Sequence, residues 1–278
     1  MGTDQCGGSG AAVEYCVQLL FPRLTLHARI QSMNSKECFQ DAGRATIAGS
    51  WIFYGVTAVS AVLLVFPGPA LPPYLHPLLV VAAAASVVFT VIAAVLQTRG
   101  NRLLRESQLA DALNSGLAAR PQAGYYNNDL APGVDRLAVT TLENTLFSAA
   151  IADRMLRTER LRNGIYLLIL ILLMVSRGTG TELLLLLAQT VFSADLILNW
   201  IRLEVFRART AAVHQRLKDV FLQGGTAANN RLAILLAAFA EYECAKDTAA
   251  MPLDSKLFNV MNPELTAEWE QLKRQLSL

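Results

Sequence analysis

The chain is short of charge and shorter still of grouped reactive side chains. Only 17% of its 278 residues are charged, 53% are hydrophobic, and the mean hydropathy is +0.36. That balance is too apolar for an ordinary water-soluble domain and predicts an integral membrane protein. His27, His76 and His214 lie far apart with no metal-ligand spacing, and no nucleophile motif such as Gly-x-Ser-x-Gly occurs. Neither an enzyme nor a metal or cofactor site is therefore expected. Cys6, Cys16, Cys38 and Cys244 show no paired spacing, which argues against a zinc site or a disulfide framework and fits a reducing compartment. The first 44 residues lack the pattern of a secretory signal, and Cys6 stands where a myristoylation motif has Ser or Thr.

What is abundant is uncharged apolar sequence. Residues 1–44 read as a cytosolic arm with an apolar patch, Tyr15 to Leu26, broken by Pro22. Ala45 to Phe66 has no charge over 22 positions, enough to cross a bilayer that needs about 20. Gly49, Ser50, Gly55, Ala58 and Ser60 within it are small enough to let a second helix approach closely. A four-proline connector, residues 67–74, precedes a second span from Leu75 to Gln97, so 45–97 reads as a hairpin. Trp51 and Tyr74 are candidate interface anchors.

From 98 to 163 nine arginines meet seven acidic residues, which predicts a folded cytosolic insert. An amphipathic helix with Leu103, Leu104, Leu109 and Leu113 is expected to stop at Asn114-Ser115-Gly116. The next should start between Pro132 and Asp135, with Leu137, Leu142, Leu146, Ile151 and Leu156 on one stripe. Residues 164–201 form a second apolar block, hinged at Arg177 to Glu182. The piece from Ile165 to Ser176 makes only about 18 Å of helix against a hydrocarbon core of about 30 Å. Charge decides how to count it. If 165–187 were one span, the ten basic residues after position 201 would lie outside, whereas four spans leave only Arg177 external. The positive-inside bias therefore predicts four spans in two hairpins, both termini cytoplasmic, in the inner membrane. Residues 202–278 complete the cytosolic portion with further helices, one over 229–244 with Leu232, Leu235, Phe239 and Tyr242 on one side, and a last one after Asn262-Pro263-Glu264.

Three sets of residues are candidate sites. In the insert, Arg120, Tyr125, Tyr126, Asn127 and Asn128 combine a phosphate-binding cation, stacking rings and base-pairing amides, the pattern of a nucleotide site, although Gly, Asn and Asp also make an ordinary turn. In the fourth span Asp195 and Asn199 share a helix face, with Gln189 two turns earlier on a nearby one. Such polar groups in lipid line a water-filled path between subunits or bond a Ser or Thr on a neighbouring helix. Glu143, Asn144 and Arg154, on the helix leading into the third span, are candidates for coupling the insert to the membrane, or else belong to a solvated face.

Two hairpins with minimal external loops and a helical cytosolic body resemble the multi-span effectors of bacterial antiphage systems that accompany cyclic-oligonucleotide signalling. The resemblance is carried by Gly124-Tyr125-Tyr126-Asn127-Asn128, Leu142-Glu143-Asn144-Thr145-Leu146-Phe147, and the tail segments Leu257-Phe258-Asn259, Asn262-Pro263-Glu264-Leu265 and Glu268-Trp269. It implies a homo-oligomer that breaches the membrane when a cyclic oligonucleotide or a soluble sensor protein signals infection. DNA is not an expected partner. A non-conducting scaffold docking a soluble protein is the alternative, followed by a small transporter, which the lack of inverted symmetry between the hairpins disfavours.

Overall fold

The structure is a computed structural model and describes residues 33–65, 74–118, 130–175, 197–223 and 228–278. The described residues form six helices and no strand: α1 (Ser35–Val65), α2 (Leu75–Leu113), α3 (Val134–Val175), α4 (Asn199–Gln223), α5 (Ala228–Ala249) and α6 (Ser255–Leu276). The all-helical expectation therefore holds.

Local chemistry sets the helix ends. At the start of α1 the backbone N–H of Glu37 donates to Asn34 Oδ1 at 2.8 Å and that of Asn34 donates to Glu37 Oε2 at 2.9 Å. This reciprocal cap starts the helix ten residues before the apolar run, inside what the sequence presents as an arm. Asn114 closes α2 in the left-handed region, φ 48°, as the sequence predicts. Arg99 and Arg102 do not interrupt α2, which continues through 39 residues, about 58 Å. The expected span and the expected amphipathic helix are thus one rod. α3 is likewise a single helix of 42 residues from the insert into the third apolar block, starting at Val134 within the expected window.

Two expectations need correction. α6 begins at Ser255, not after Asn262, because Asp254 Oδ1 accepts from the backbone N–H of Lys256 and Leu257 at 2.8 and 3.3 Å. Pro263 consequently lies inside the helix. On α5, Leu235 and Tyr242 are buried as expected but Leu232 is exposed; the inner stripe is Leu235, Ala238, Tyr242, Ala245 and Ala249.

α1 and α2 pack along one another. At Gly49 a β-carbon would sit 3.2 Å from Phe89 Cβ and 3.3 Å from the Ser86 carbonyl, a tight fit that the absent side chain of glycine relieves at this crossing. Gly100 does the same for the Phe39 ring, whose edge would be 2.7 Å from an added methyl. Gly55, by contrast, faces open space. Gly49→Val should therefore wedge the hairpin apart at a cost of about 2 kcal/mol. A lower melting temperature, with Gly55→Val nearly silent, is the expected outcome.

Two of the described helices, over Ser35–Leu63 and Pro77–Leu113, are long and apolar enough to cross a membrane. Only 6% and 11% of their most apolar stretches are buried within the chain. Trp51 is 75% exposed and Val80 68%, so these surfaces need an apolar environment from outside. Four spans were expected and two meet the test. α3 ends at Val175 after eleven exposed or half-exposed apolar and small positions, and residues 176–196, which hold the expected turn and most of the fourth span, lie outside the described residues.

The other end is a packed body. Val139 and Leu142 of α3 meet Val213 and Leu217 of α4, Leu235 and Tyr242 of α5, and Trp269 and Leu272 of α6. A second cluster, Leu156, Leu203, Phe206, Ala245 and Ala249, continues the core along α3 and α4. α2 packs on α3 and α5 of this body through its part from Gln97 onward.

Candidate coupling seam between hairpin and body

The part of α2 beyond the apolar run carries Gln97, Asn101, Arg105 and Gln108. At spacings of four, four and three they fall on one helix face. That face is turned inward. Gln97 Nε2 donates to the Met251 carbonyl at 3.3 Å, and Asn101 Nδ2 donates to Asp247 Oδ1 at 3.2 Å. Arg105 donates to Asp247 Oδ2 at 2.9 Å and approaches the buried Glu243 at 3.8 Å. Gln108 Nε2 donates to Thr141 Oγ1 at 3.2 Å, wholly buried. One turn further, Arg136 of α3 holds Asp111 at 2.9 and 3.0 Å, and the Gly133 N–H donates to the Ala112 carbonyl at 2.8 Å.

This seam is polar where the main core clusters of the body are apolar. Each neutral hydrogen bond is worth about 1 kcal/mol net, while a buried polar atom left without a partner costs about 1–3 kcal/mol. The Oε1 atoms of Gln97 and Gln108 are both buried without a partner among the described residues. The charge-assisted bonds of Arg105 and Arg136 add to the gains, and the two orphaned acceptors subtract from them. The seam fixes the direction of α2 against the body through polar groups that water or a ligand can also satisfy.

Behind it lies a second polar layer. Glu243 is 3% exposed, ion-paired with Lys246, whose ammonium also sits 4.9 Å above the Tyr242 ring. Burial pushes the Glu243 carboxyl above its usual range, and Lys246 and Arg105 oppose that rise. The Tyr242 hydroxyl lies 2.9 Å from Ser148 Oγ and donates to the Asn144 carbonyl at 3.5 Å. His214 Nδ1 is 3.3 Å from Thr145 Oγ1, and burial holds its pKa below the usual value. These contacts register α5 and α4 on α3.

Of the sequence-predicted residues, Glu143, Asn144, Arg154 and Asn199 are among the described ones. Glu143 is half-buried on α3 and faces α6, near Lys273 and Glu270. The Asn144 carbonyl meets Tyr242, and Arg154 is exposed on α3. Glu143 and Asn144 thus help assemble the body, whereas the contacts to the hairpin come from residues the sequence reading passed over. Asn199 opens α4, half-buried. Gln189, Asp195, Arg120, Tyr125, Tyr126, Asn127 and Asn128 lie outside the described residues.

Glu143 gives a pH prediction. Burial raises its carboxyl pKa to about 7, Lys273 pulling it down and Glu270 pushing it up. Because the folded value exceeds the unfolded one, the protein is most stable with Glu143 protonated. Stability falls as pH rises from about 4.5 through about 7. After discounting for partial exposure, the loss by pH 8 is on the order of 1 kcal/mol. Glu143→Gln should remove that slope; melting curves at pH 5.5 and 8 read it directly.

Comparison of the chain with protein-family models, with curated proteins and with solved structures finds no match. The fold and seam themselves define the class: an all-helical protein in which an apolar hairpin, long enough to cross a membrane, is continued into a packed helical body.

Proposed function

We propose that this chain is a multi-span membrane protein in which the helical body controls the hairpin, acting as an oligomeric, permeability-altering effector. The single observation that carries the proposal is the unbroken α2, apolar and outward-facing along the hairpin and gripped from Gln97 onward by a polar seam. A rod shared by two compartments transmits a displacement of one to the other, and a seam of hydrogen bonds and ion pairs is one that a ligand or partner can bias. The exposed apolar end of α3, with Leu168, Leu172 and Val175 facing outward, supports its entry into lipid as a third span, with α4 returning as the continuation of a fourth. Both termini would then be cytoplasmic. The part played by antiphage defence and by a cyclic oligonucleotide enters through the resemblance to such effectors.

Induced expression in bacteria tests the reading. It predicts entry of a membrane-impermeant dye and growth arrest, both reduced in Asp195→Ala. An intact membrane potential in arrested cells, or no arrest with a stoichiometric soluble protein co-purifying, would instead favour a non-conducting scaffold.

A further inference from the structure

Where α3 and α4 run side by side below the apolar block, their outer surface changes character within two turns. On α3 the residues Arg154, Thr158, Leu161, Ile165 and Leu168 follow one another on one exposed face, cationic at one end and aliphatic at the other. Leu198, just before α4, and Arg202, Val205 and Arg209 on it are likewise exposed at helical spacing, interleaving apolar and cationic side chains. The two helices are antiparallel and locked at this level. Arg160 donates to Glu204 at 2.7 and 2.9 Å, and Arg207 lies 3.5 Å from Asp153.

Over residues 153–165 and 197–209 there are seven arginines and three carboxylates. All three carboxylates are already engaged: Asp153 by Arg157 and Arg207, Glu159 by Arg162, and Glu204 by Arg160. Arg154, Arg202 and Arg209 are exposed and lie in no ion pair with a carboxylate among the described residues. Arg154 stands seven residues from Leu161, about 10 Å along the helix, which is within reach of a headgroup layer for a side chain that extends toward it. The fork of a guanidinium matches a phosphate diester, and a cation this close to an anionic surface is attracted to it across about one Debye length.

We infer that this arginine collar binds the phosphates of anionic phospholipids, seating the body against an acidic leaflet. The inference rests on the membrane reading above. It adds a lipid preference which that reading does not require.

The test uses the full chain purified in neutral detergent, with melting temperature as the readout. A short-chain phosphatidylglycerol near ten times its dissociation constant should raise the melting temperature by about 4 °C. Phosphatidylcholine, inorganic phosphate and a single-stranded oligonucleotide at the same concentration should not. The triple variant R154Q/R202Q/R209Q should lose the shift, its triple Lys counterpart should keep part of it, and K256Q/R274Q on distant α6 should keep all of it. An equal shift with phosphatidylcholine, or a full shift in the triple Gln variant, overturns the inference. So does an equal shift with free phosphate or the oligonucleotide, which would mark a general anion or nucleic-acid surface. Alkaline carbonate extraction of native membranes separates the two readings. Release of the wild-type chain contradicts membrane insertion itself, whereas retention without phosphatidylglycerol preference contradicts only the collar.

Discussion

Asp247→Arg should detach α2 from the body while leaving the body folded. Asp247 accepts from both Asn101 and Arg105, so the substitution removes two hydrogen bonds and sets two guanidiniums against each other. Both partners are roughly one-third exposed, which moderates the repulsion, and a loss of about 2 kcal/mol of seam stability is the expected size. Hydrogen exchange over 99–113 should then quicken about 30-fold, while amides of α3 to α6 around Leu142 and Leu217 keep their protection. Arg105→Asp in the same chain should restore much of the loss, since the swapped pair attracts again. A double-mutant cycle with no coupling between these positions would contradict the seam as described.

Trp269→Ala has the larger effect on the body. Trp269 is 2% exposed and packs with Leu142, Leu217 and Tyr242 in the main core, so truncation leaves a cavity costing about 4 kcal/mol. Its indole N–H is buried without a partner, so that atom contributes no compensating bond. Trp269→Phe therefore keeps most of the apolar contact and removes an unsatisfied donor, at a cost of about 1 kcal/mol. The contrast appears as melting temperature: a large fall for Ala and a small one for Phe. Comparable falls would contradict the assignment of the loss to the cavity left by the ring.

Much of the fold was legible because local chemistry decided it. Asn114 ends α2 through the left-handed backbone that Asn tolerates, and Val134 starts α3 beside the Pro132-Gly133 stop. Leu137, Leu142, Ile151 and Leu156 are buried as their spacing requires. The errors share one cause. Arg99 and Arg102 were read as a boundary, but a charge ends a membrane span without ending a helix, so the rod through Leu113 was cut in two. Pro263 was read as a helix start because proline suits the first turn. The Asp254 cap and the burial of Leu265 and Trp269 outweigh the one backbone bond that Pro263 forgoes.

The seam was visible as a pattern and invisible as a site. Gln97, Asn101, Arg105 and Gln108 share a face in plain sequence, but a polar helix face is ordinarily solvated. What buries it is α5, whose Asp247 lies 146 residues from Asn101, and no local spacing carries that information. Glu243 escaped for the same reason. Glu243 flanks the apolar side of Leu232, Leu235, Phe239 and Tyr242 in the sequence, and only the packing of α2 and Lys246 against it makes it a buried residue. The nucleotide and pore residues proposed from the sequence fall largely in 119–129 and 176–196, outside the described residues, so the seam, not those segments, carries the structural argument.

The account stands or falls on whether the body acts on the membrane through α2. In a chain otherwise free of cysteine, N101C and D247C joined by a short thiol crosslinker would lock the seam in the arrangement seen here. Dye entry on induced expression should be suppressed in crosslinked cells and return when a cleavable linker is reduced. Equal dye entry with the seam locked and unlocked would contradict the account.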